Sequence, residues 1–178
     1  MNTRNRLMSL PAAVGIALLG LAVAPASQAA TIEHYDYQSA AGVCQGALPA
    51  FAGTLRARPL AVGNEGAAVA FVTCALRSDD RGASTARTAR TAIRLGNTGA
   101  SGSVTINCTF VHGFGSPGVV PTYLTRSVVV AAGGSSFVEI TPADLDATEV
   151  RYAQWSCALP PNAVVYYVNR HYNLEIGD

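Results

Sequence analysis

Between Ser103 and Phe114 the chain alternates strictly: Val104, Ile106, Cys108 and Phe110 fall on one side, Thr105, Asn107 and Thr109 on the other. A period of two is the signature of a half-buried β-strand, and it places a cysteine on the buried side. Ala68 to Leu76 follows the same rule, with Val72, Cys74 and Leu76 opposed to Val69, Phe71 and Thr73. Further strands are expected at Thr54 to Val62, Thr88 to Leu95, Thr122 to Val130, Ser135 to Ile140, Val150 to Ala158 and Ala163 to Leu174. Gly63-Asn-Glu-Gly66, Gly96-Asn-Thr-Gly99, Gly133-Gly134 and Leu159-Pro-Pro-Asn162 supply the turn chemistry between them. One helical turn is expected at Thr141 to Leu145, with Thr141 as cap and Pro142 in the first helical position. About eight short strands in this order predict an all-β fold: a single antiparallel β-sandwich, Ig-like or jelly-roll-like.

The first 30 residues do not belong to that pattern. Arg4 and Arg6 precede an apolar stretch from Leu7 to Val23 broken by Pro11, and Pro25 to Ala30 is rich in small residues. That order, basic then apolar then small, is the order of a secretory signal peptide, so residues 1–30 are read as a leader and residues 31–178 as one domain. No second long apolar segment follows, and no membrane span is expected in the mature chain.

Removing 30 of the 178 residues leaves ten Arg, no Lys and eleven carboxylates, a net charge near −1. A general nucleic-acid binder carries a large basic excess, and none is present. All four cysteines, Cys44, Cys74, Cys108 and Cys157, remain in what the leader makes an oxidising compartment. Their separations of 30, 34 and 49 residues lack the close pairs that let two thiolates reach one zinc ion, so two disulfides are expected and no metal. Three connectivities are open; the one expected is Cys44 with Cys74 and Cys108 with Cys157.

The run Cys44…Leu55-Arg-Ala-Arg-Pro-Leu-Ala-Val-Gly-Asn-Glu-Gly66…Phe71-Val-Thr-Cys74, with the late Trp155-Ser-Cys-Ala-Leu-Pro-Pro161, resembles small exported disulfide-containing proteins of Gram-negative bacteria. The resemblance implies a secreted or periplasmic location and a disulfide-stapled β fold; it brings no activity and no site residues. Chaperone–usher pilins end on an alternating segment with a penultimate Tyr, whereas here Gly177 is penultimate and the last Tyr is Tyr172.

Catalytic motifs are thin. Gly113-Phe-Gly-Ser-Pro-Gly118 matches G-x-G-x-x-G in form, but Pro117 and Pro121 deny it the helix a pyrophosphate needs, and it reads as a loop. No G-x-S-x-G elbow and no H-E-x-x-H occurs. His34, His112 and His171 are the imidazoles; His112 or His171 with Asp79, Asp80 or Asp144 is the combination from which a small exported hydrolase would have to be built. Asp144, Asp146 and Glu149 read as cap and loop carboxylates rather than a calcium site.

Two features point to binding. Trp155, Tyr152, Tyr166, Tyr167 and Tyr172 lie on the last strands, where Trp155 is expected in the core beside the cysteines and one of Tyr166 and Tyr167 is expected to face outward. The segment from Arg77 to Arg94 repeats Thr-Ala-Arg, and Arg87, Arg90 and Arg94 are its candidate contact with an anionic partner: an acidic glycan, a lipid headgroup or an acidic protein. In a helix or polyproline conformation their spacing makes a stripe, and in a strand it divides them between faces. The expectation is therefore a secreted, non-catalytic binding or structural module without a cofactor, with the hydrolase as alternative.

Overall fold

The computed structural model describes residues 30–76, 87–113, 118, 120–146, 150 and 154–176. Within them the chain forms eleven strands in two antiparallel sheets that enclose one core. The strands are β1 (Ala30–Ser39), β2 (Cys44–Gly46), β3 (Leu55–Arg58), β4 (Ala61–Asn64), β5 (Ala70–Ala75), β6 (Arg87–Asn97), β7 (Ser103–His112), β8 (Thr122–Ala131), β9 (Ser135–Ile140), β10 (Gln154–Leu159) and β11 (Ala163–Ile176). One sheet runs β3-β4-β11-β6-β9, with β1 beside the far half of β11; the other runs β2-β5-β10-β7-β8.

The alternation read from the sequence sets which side chains meet between the sheets. Val72 and Cys74 of β5 and Ile106, Cys108 and Phe110 of β7 are buried, as are Trp155, Cys157 and Leu159 of β10. The six-stranded sheet answers them with Ile93 and Leu95 of β6, Ile140 of β9, and Val165 and Val168 of β11. Trp155 is fully buried, its ring centroid 4.9 Å from that of Phe110, and its indole N–H reaches Thr91 Oγ1 on the opposite sheet at 3.4 Å.

Both disulfides lie in the five-stranded sheet. Cys44 stands directly opposite Cys74 in the β2–β5 ladder and is bonded to it; Cys108 and Cys157 are opposite partners of β7 and β10 and are bonded likewise. The two sheets are tied to each other by amides. Asn64, at the end of β4, is buried and donates Nδ2–H to the carbonyl of Leu159 in the other sheet at 2.7 Å, while its Oδ1 accepts from the Gly66 amide at 2.9 Å. Asn97, at the end of β6, repeats the device with the Val130 carbonyl at 3.2 Å and the Gly99 amide at 2.9 Å. Buried amides need partners, and each Asn satisfies both ends at once.

The expected Thr54–Val62 strand is a hairpin, β3 and β4, turning at Pro59-Leu60. The pattern missed β1 and β2, and also two short helical pieces, α1 (Ala40–Val43), which carries the chain from β1 to β2, and a 3₁₀ turn at Pro49–Gly53. The 3₁₀ turn at Pro142–Leu145 is where Thr141 and Pro142 placed it, closed by Asp144 Oδ2, which accepts from the Thr141 amide and hydroxyl at 2.8 Å each. Among the described residues no helix is long and apolar enough to cross a membrane.

Candidate functional site

The six-stranded sheet has a core face and an outer face, and the outer one carries rings. Register fixes its rows. One row reads across β11, β6 and β9 as Tyr167, Arg94, Phe137. The next reads Tyr37, Asn169, Ala92, Glu139 from β1 to β9, and the third Tyr35, His171, Arg90. On β1 the residues of the other parity, His34, Asp36 and Gln38, turn to the face that carries Val168, Arg170 and Tyr172 on β11.

Along the outer face the rings are in contact. His171 stacks on Tyr35 at 4.5 Å between centroids, Tyr35 on Tyr37 at 6.3 Å, Tyr37 meets Tyr167 edge-on at 5.2 Å, and Tyr167 meets Phe137 at 6.1 Å. These are the offset and edge geometries aromatic quadrupoles favour. Yet Tyr35, Tyr37 and Phe137 keep 48%, 58% and 49% of their surface open to solvent. A contiguous exposed aromatic surface costs free energy in water unless something covers it.

A bulge completes the array. Val165 pairs with Leu95 and Tyr167 with Arg94, so Tyr166 is an extra residue in β11. A regular strand would send one of two neighbouring tyrosines inward; here both rings lie 5.8 Å from the Arg94 guanidinium. Tyr166 has room because it lies over Gly96, where a Cβ would come within 2.5 Å of its ring. A shallow groove of about 300 Å³ opens beside it, lined by Arg58, Glu65, Thr98 and Asn162 among others.

The arginine stripe takes a different form from a loop or polyproline segment. Arg90 and Arg94 stand on β6, four residues apart and therefore on one face, opposite His171 and Tyr167. Arg90 is paired with Glu139 at 3.2 Å and lies 5.8 Å from the Tyr35 ring. Arg94 lies 5.4 Å from Phe137 and donates to Ser135 Oγ at 3.1 Å. Arg87 is opposite Asn173 in the ladder. The segment from 77 to 86, with Asp79 and Asp80, lies outside the described residues, as do Tyr152, Glu149 and Phe114 to Pro117 of the Gly-rich run.

The remaining candidates do not converge. His112 ends β7 in one sheet while His171 sits in the other. His171 Nε2 lies 3.6 Å from Glu33 Oε2, an exposed carboxylate, and its ring is occupied by Tyr35. Asp144 is spoken for by Thr141 and by Arg126 Nη2 at 3.1 Å; these hydrogen bonds, the Thr141 amide first, hold its carboxyl below the usual range. Among the described residues no group of three or more His, Cys, Asp or Glu is arranged to hold a metal ion. What this face offers is ring stacking flanked by hydrogen-bond donors and acceptors. β1 contributes two of its exposed rings, and sequence reasoning missed them; the signal was Tyr35-Asp-Tyr37, two aromatics two residues apart.

No family model and no curated protein matches the chain. Among solved structures it is similar to a chain of Desmodium yellow mottle tymovirus, at 11% identity and TM-score 0.42 over 98% of this chain and 95% of that one. It is also similar to the C-terminal family 22 carbohydrate-binding module of Clostridium thermocellum Xyn10B, at 14% identity and TM-score 0.37 over 80% and 87%. A chain of the disulfide-linked pili of Bacillus endospore appendages is similar at 9% identity and TM-score 0.35 over 84% and 92%.

Proposed function

We propose that residues 31–178 form one disulfide-stapled domain, exported by the leader at residues 1–30 to the periplasm or beyond. There it acts as a non-catalytic binding module whose working surface is the outer face of the six-stranded sheet. The observation that carries this reading is the linked array of Tyr35, Tyr37, Tyr167, His171 and Phe137 across the outer face of the six-stranded sheet, in which Tyr35, Tyr37 and Phe137 stay about half open to water. The partner class it suits best is a saccharide chain. Sugar rings present C–H faces to aromatic rings and hydroxyls at their rims, and Glu33, Asn169 and Glu139 stand between and beside these rings to meet hydroxyls. The two disulfides support export, since such bonds persist outside the reducing cytoplasm.

Isothermal titration against a panel of neutral and acidic oligosaccharides tests the reading, with the wild type beside the Tyr35→Ala/Tyr37→Ala variant. Ring contacts contribute about 0.5–1.5 kcal/mol each, so losing two should weaken binding roughly 5- to 150-fold. Equal affinity in both proteins would remove the face from the binding reaction. Turnover of a bound saccharide, abolished in His171→Ala, would replace a binding module with a hydrolase.

A further inference from the structure

Three of the described arginines are matched by carboxylates. Arg58 is paired with Glu65 at 2.6 Å, Arg90 with Glu139 at 3.2 Å and Arg126 with Asp144 at 3.1 Å. Among the described residues Arg94 has no carboxylate partner, and neither has Arg56, which donates to the Ala52 carbonyl, nor Arg170, which lies over Tyr172 on the other face; of the three, Arg94 is the one that stands in the ring array. It lies among three rings, 5.4 Å from Phe137 and 5.8 Å from Tyr166 and Tyr167, and gives one hydrogen bond, to Ser135 Oγ. Its Nε is shut off from water without an acceptor, which leaves the terminal nitrogens, one of them bonded to Ser135 Oγ at the surface, to meet a ligand. An arginine has five N–H donors in a planar fork that matches a carboxylate with two parallel bonds, and such bonds strengthen where water is excluded.

The position of Arg94 adds the second half. Tyr167, Arg94 and Phe137 are one row of the sheet, and Tyr37 begins the next. A saccharide lying across the strands from Tyr37 toward Phe137 passes over the guanidinium, and the terminal nitrogens are what it meets. The negative charges on this face are either matched, as Glu139 is by Arg90, or stand at its far end, as Glu33 does beside His171. Arg94 is an unmatched positive charge that sits among the rings.

Resting on the glycan reading of this face, we propose that the ligand is an acidic polysaccharide built from uronic acids, and that Arg94 receives a carboxylate of a stacked uronate ring. Arg90 is already neutralised by Glu139, so of the two stripe arginines whose side chains are described, Arg94 is the one left for the anion.

The test uses oligomers of galacturonate, alginate and hyaluronate, each beside its carboxyl-methylated form, which keeps the ring and removes the charge. Titrations are run with wild type, Arg94→Gln, Arg94→Lys and, as a charge control on the opposite sheet, Arg126→Gln. At least one acidic oligomer should bind about tenfold or more tighter than its methyl ester. Arg94→Gln should erase that preference, Arg94→Lys should keep part of it, and Arg126→Gln should leave it intact. Thermal melts exclude unfolding as the cause, and the Arg94→Lys arm keeps the test alive if the Gln variant is unstable. Equal binding of acid and ester, or an Arg94→Gln variant that retains the preference, overturns the uronate inference while the aromatic platform stands. Binding of only neutral oligosaccharides from the wider panel does the same. If no saccharide of any charge binds, the platform reading falls and this inference falls with it.

Discussion

Removing the two disulfides one at a time should separate chain entropy from packing. Cys44–Cys74 closes a loop with a sequence separation of 30 and Cys108–Cys157 one of 49. On the chain-entropy relation these restrict the unfolded chain by about 3.6 and about 4.1 kcal/mol, a gap of only about 0.4 kcal/mol. Packing widens it. Cys108 and Cys157 are both buried in the middle of their sheet, where Cys157 also stands opposite Val72, whereas in the other pair only Cys74 is buried and Cys44 is half-exposed on a three-residue edge strand. Replacing two buried sulfurs by alanine leaves a void that the neighbouring strands fill incompletely, adding roughly 1–2 kcal/mol to the central pair. The Cys108→Ala/Cys157→Ala protein should therefore lose about 5–6 kcal/mol, and Cys44→Ala/Cys74→Ala, with one buried sulfur, about 4–4.5. At about 2–4 °C per kcal/mol for a domain of this size, the second variant melts roughly 8–18 °C below wild type and the first lower still. The loops do not overlap in sequence, so their entropic parts should add, while the packing parts couple because Cys74 and Cys157 stand diagonally on adjacent strands; the quadruple variant, having lost about 8–10 kcal/mol, should be largely unfolded at room temperature. Urea titration followed by the single buried Trp155 reads all three. An edge pair that costs as much as the central pair would refute the packing half of this reasoning; losses below about 1 kcal/mol for both would refute the entropic half.

The glycines of the outer face give a second, opposed pair. Gly63→Ala drives a Cβ to 2.8 Å from Cγ1 of the buried Val164, and should cost about 1–3 kcal/mol in a thermal melt. Gly96→Ala meets only the end of the Tyr166 ring, which can swing away, so stability should change by under about 1 kcal/mol while saccharide affinity drops; the reverse order of stabilities would show that Tyr166 is not free to move. Asp144 gives an acid limb: its folded pKa lies below the ordinary 3.8, so its contribution is complete above that value and is lost as pH falls through the lowered one. Asp144→Asn should flatten the melting temperature between about pH 4 and pH 2 relative to wild type, and superimposable profiles would assign the acid limb elsewhere.

What the sequence made legible was the part of the fold governed by burial. β5 and β7 alternate because one of their faces meets the other sheet, and their buried residues were readable to the residue. β1 escaped because neither of its faces is apolar: one carries Tyr35 and Tyr37 outward, and the other carries His34, Asp36 and Gln38 against the polar Arg170 and Tyr172 of β11. A strand that stabilises the fold through its ladder leaves no hydrophobic alternation to read. The candidate site was half legible for the same reason. Trp155 was placed in the core by parity with Cys157, but parity fails at a bulge, and a bulge is what turns both Tyr166 and Tyr167 outward. The Gly-Asn-x-Gly turns were read correctly as turns, yet nothing local reveals that Asn64 and Asn97 reach carbonyls 95 and 33 residues away.

The pairing of β1 with β11 also decides how the domain yields to tension. Ala30 lies opposite Ile176 and Ser39 opposite Tyr167, so both extremities of the described chain leave the molecule at the same corner. A pull between them loads this ladder like a zipper, one hydrogen-bonded pair after another, whereas strands pulled along their length must break all pairs together. Peeling β1 takes Tyr35 off His171 and Tyr37 off Tyr167 before any strain reaches the covalently closed sheet. A domain anchored at one extremity and hauled by the other would thus shed its grip at low force and keep its body whole. If the load instead enters through a ligand lying across the rings, it is shared by β1, β11, β6 and β9 at once, and the same surface resists far more.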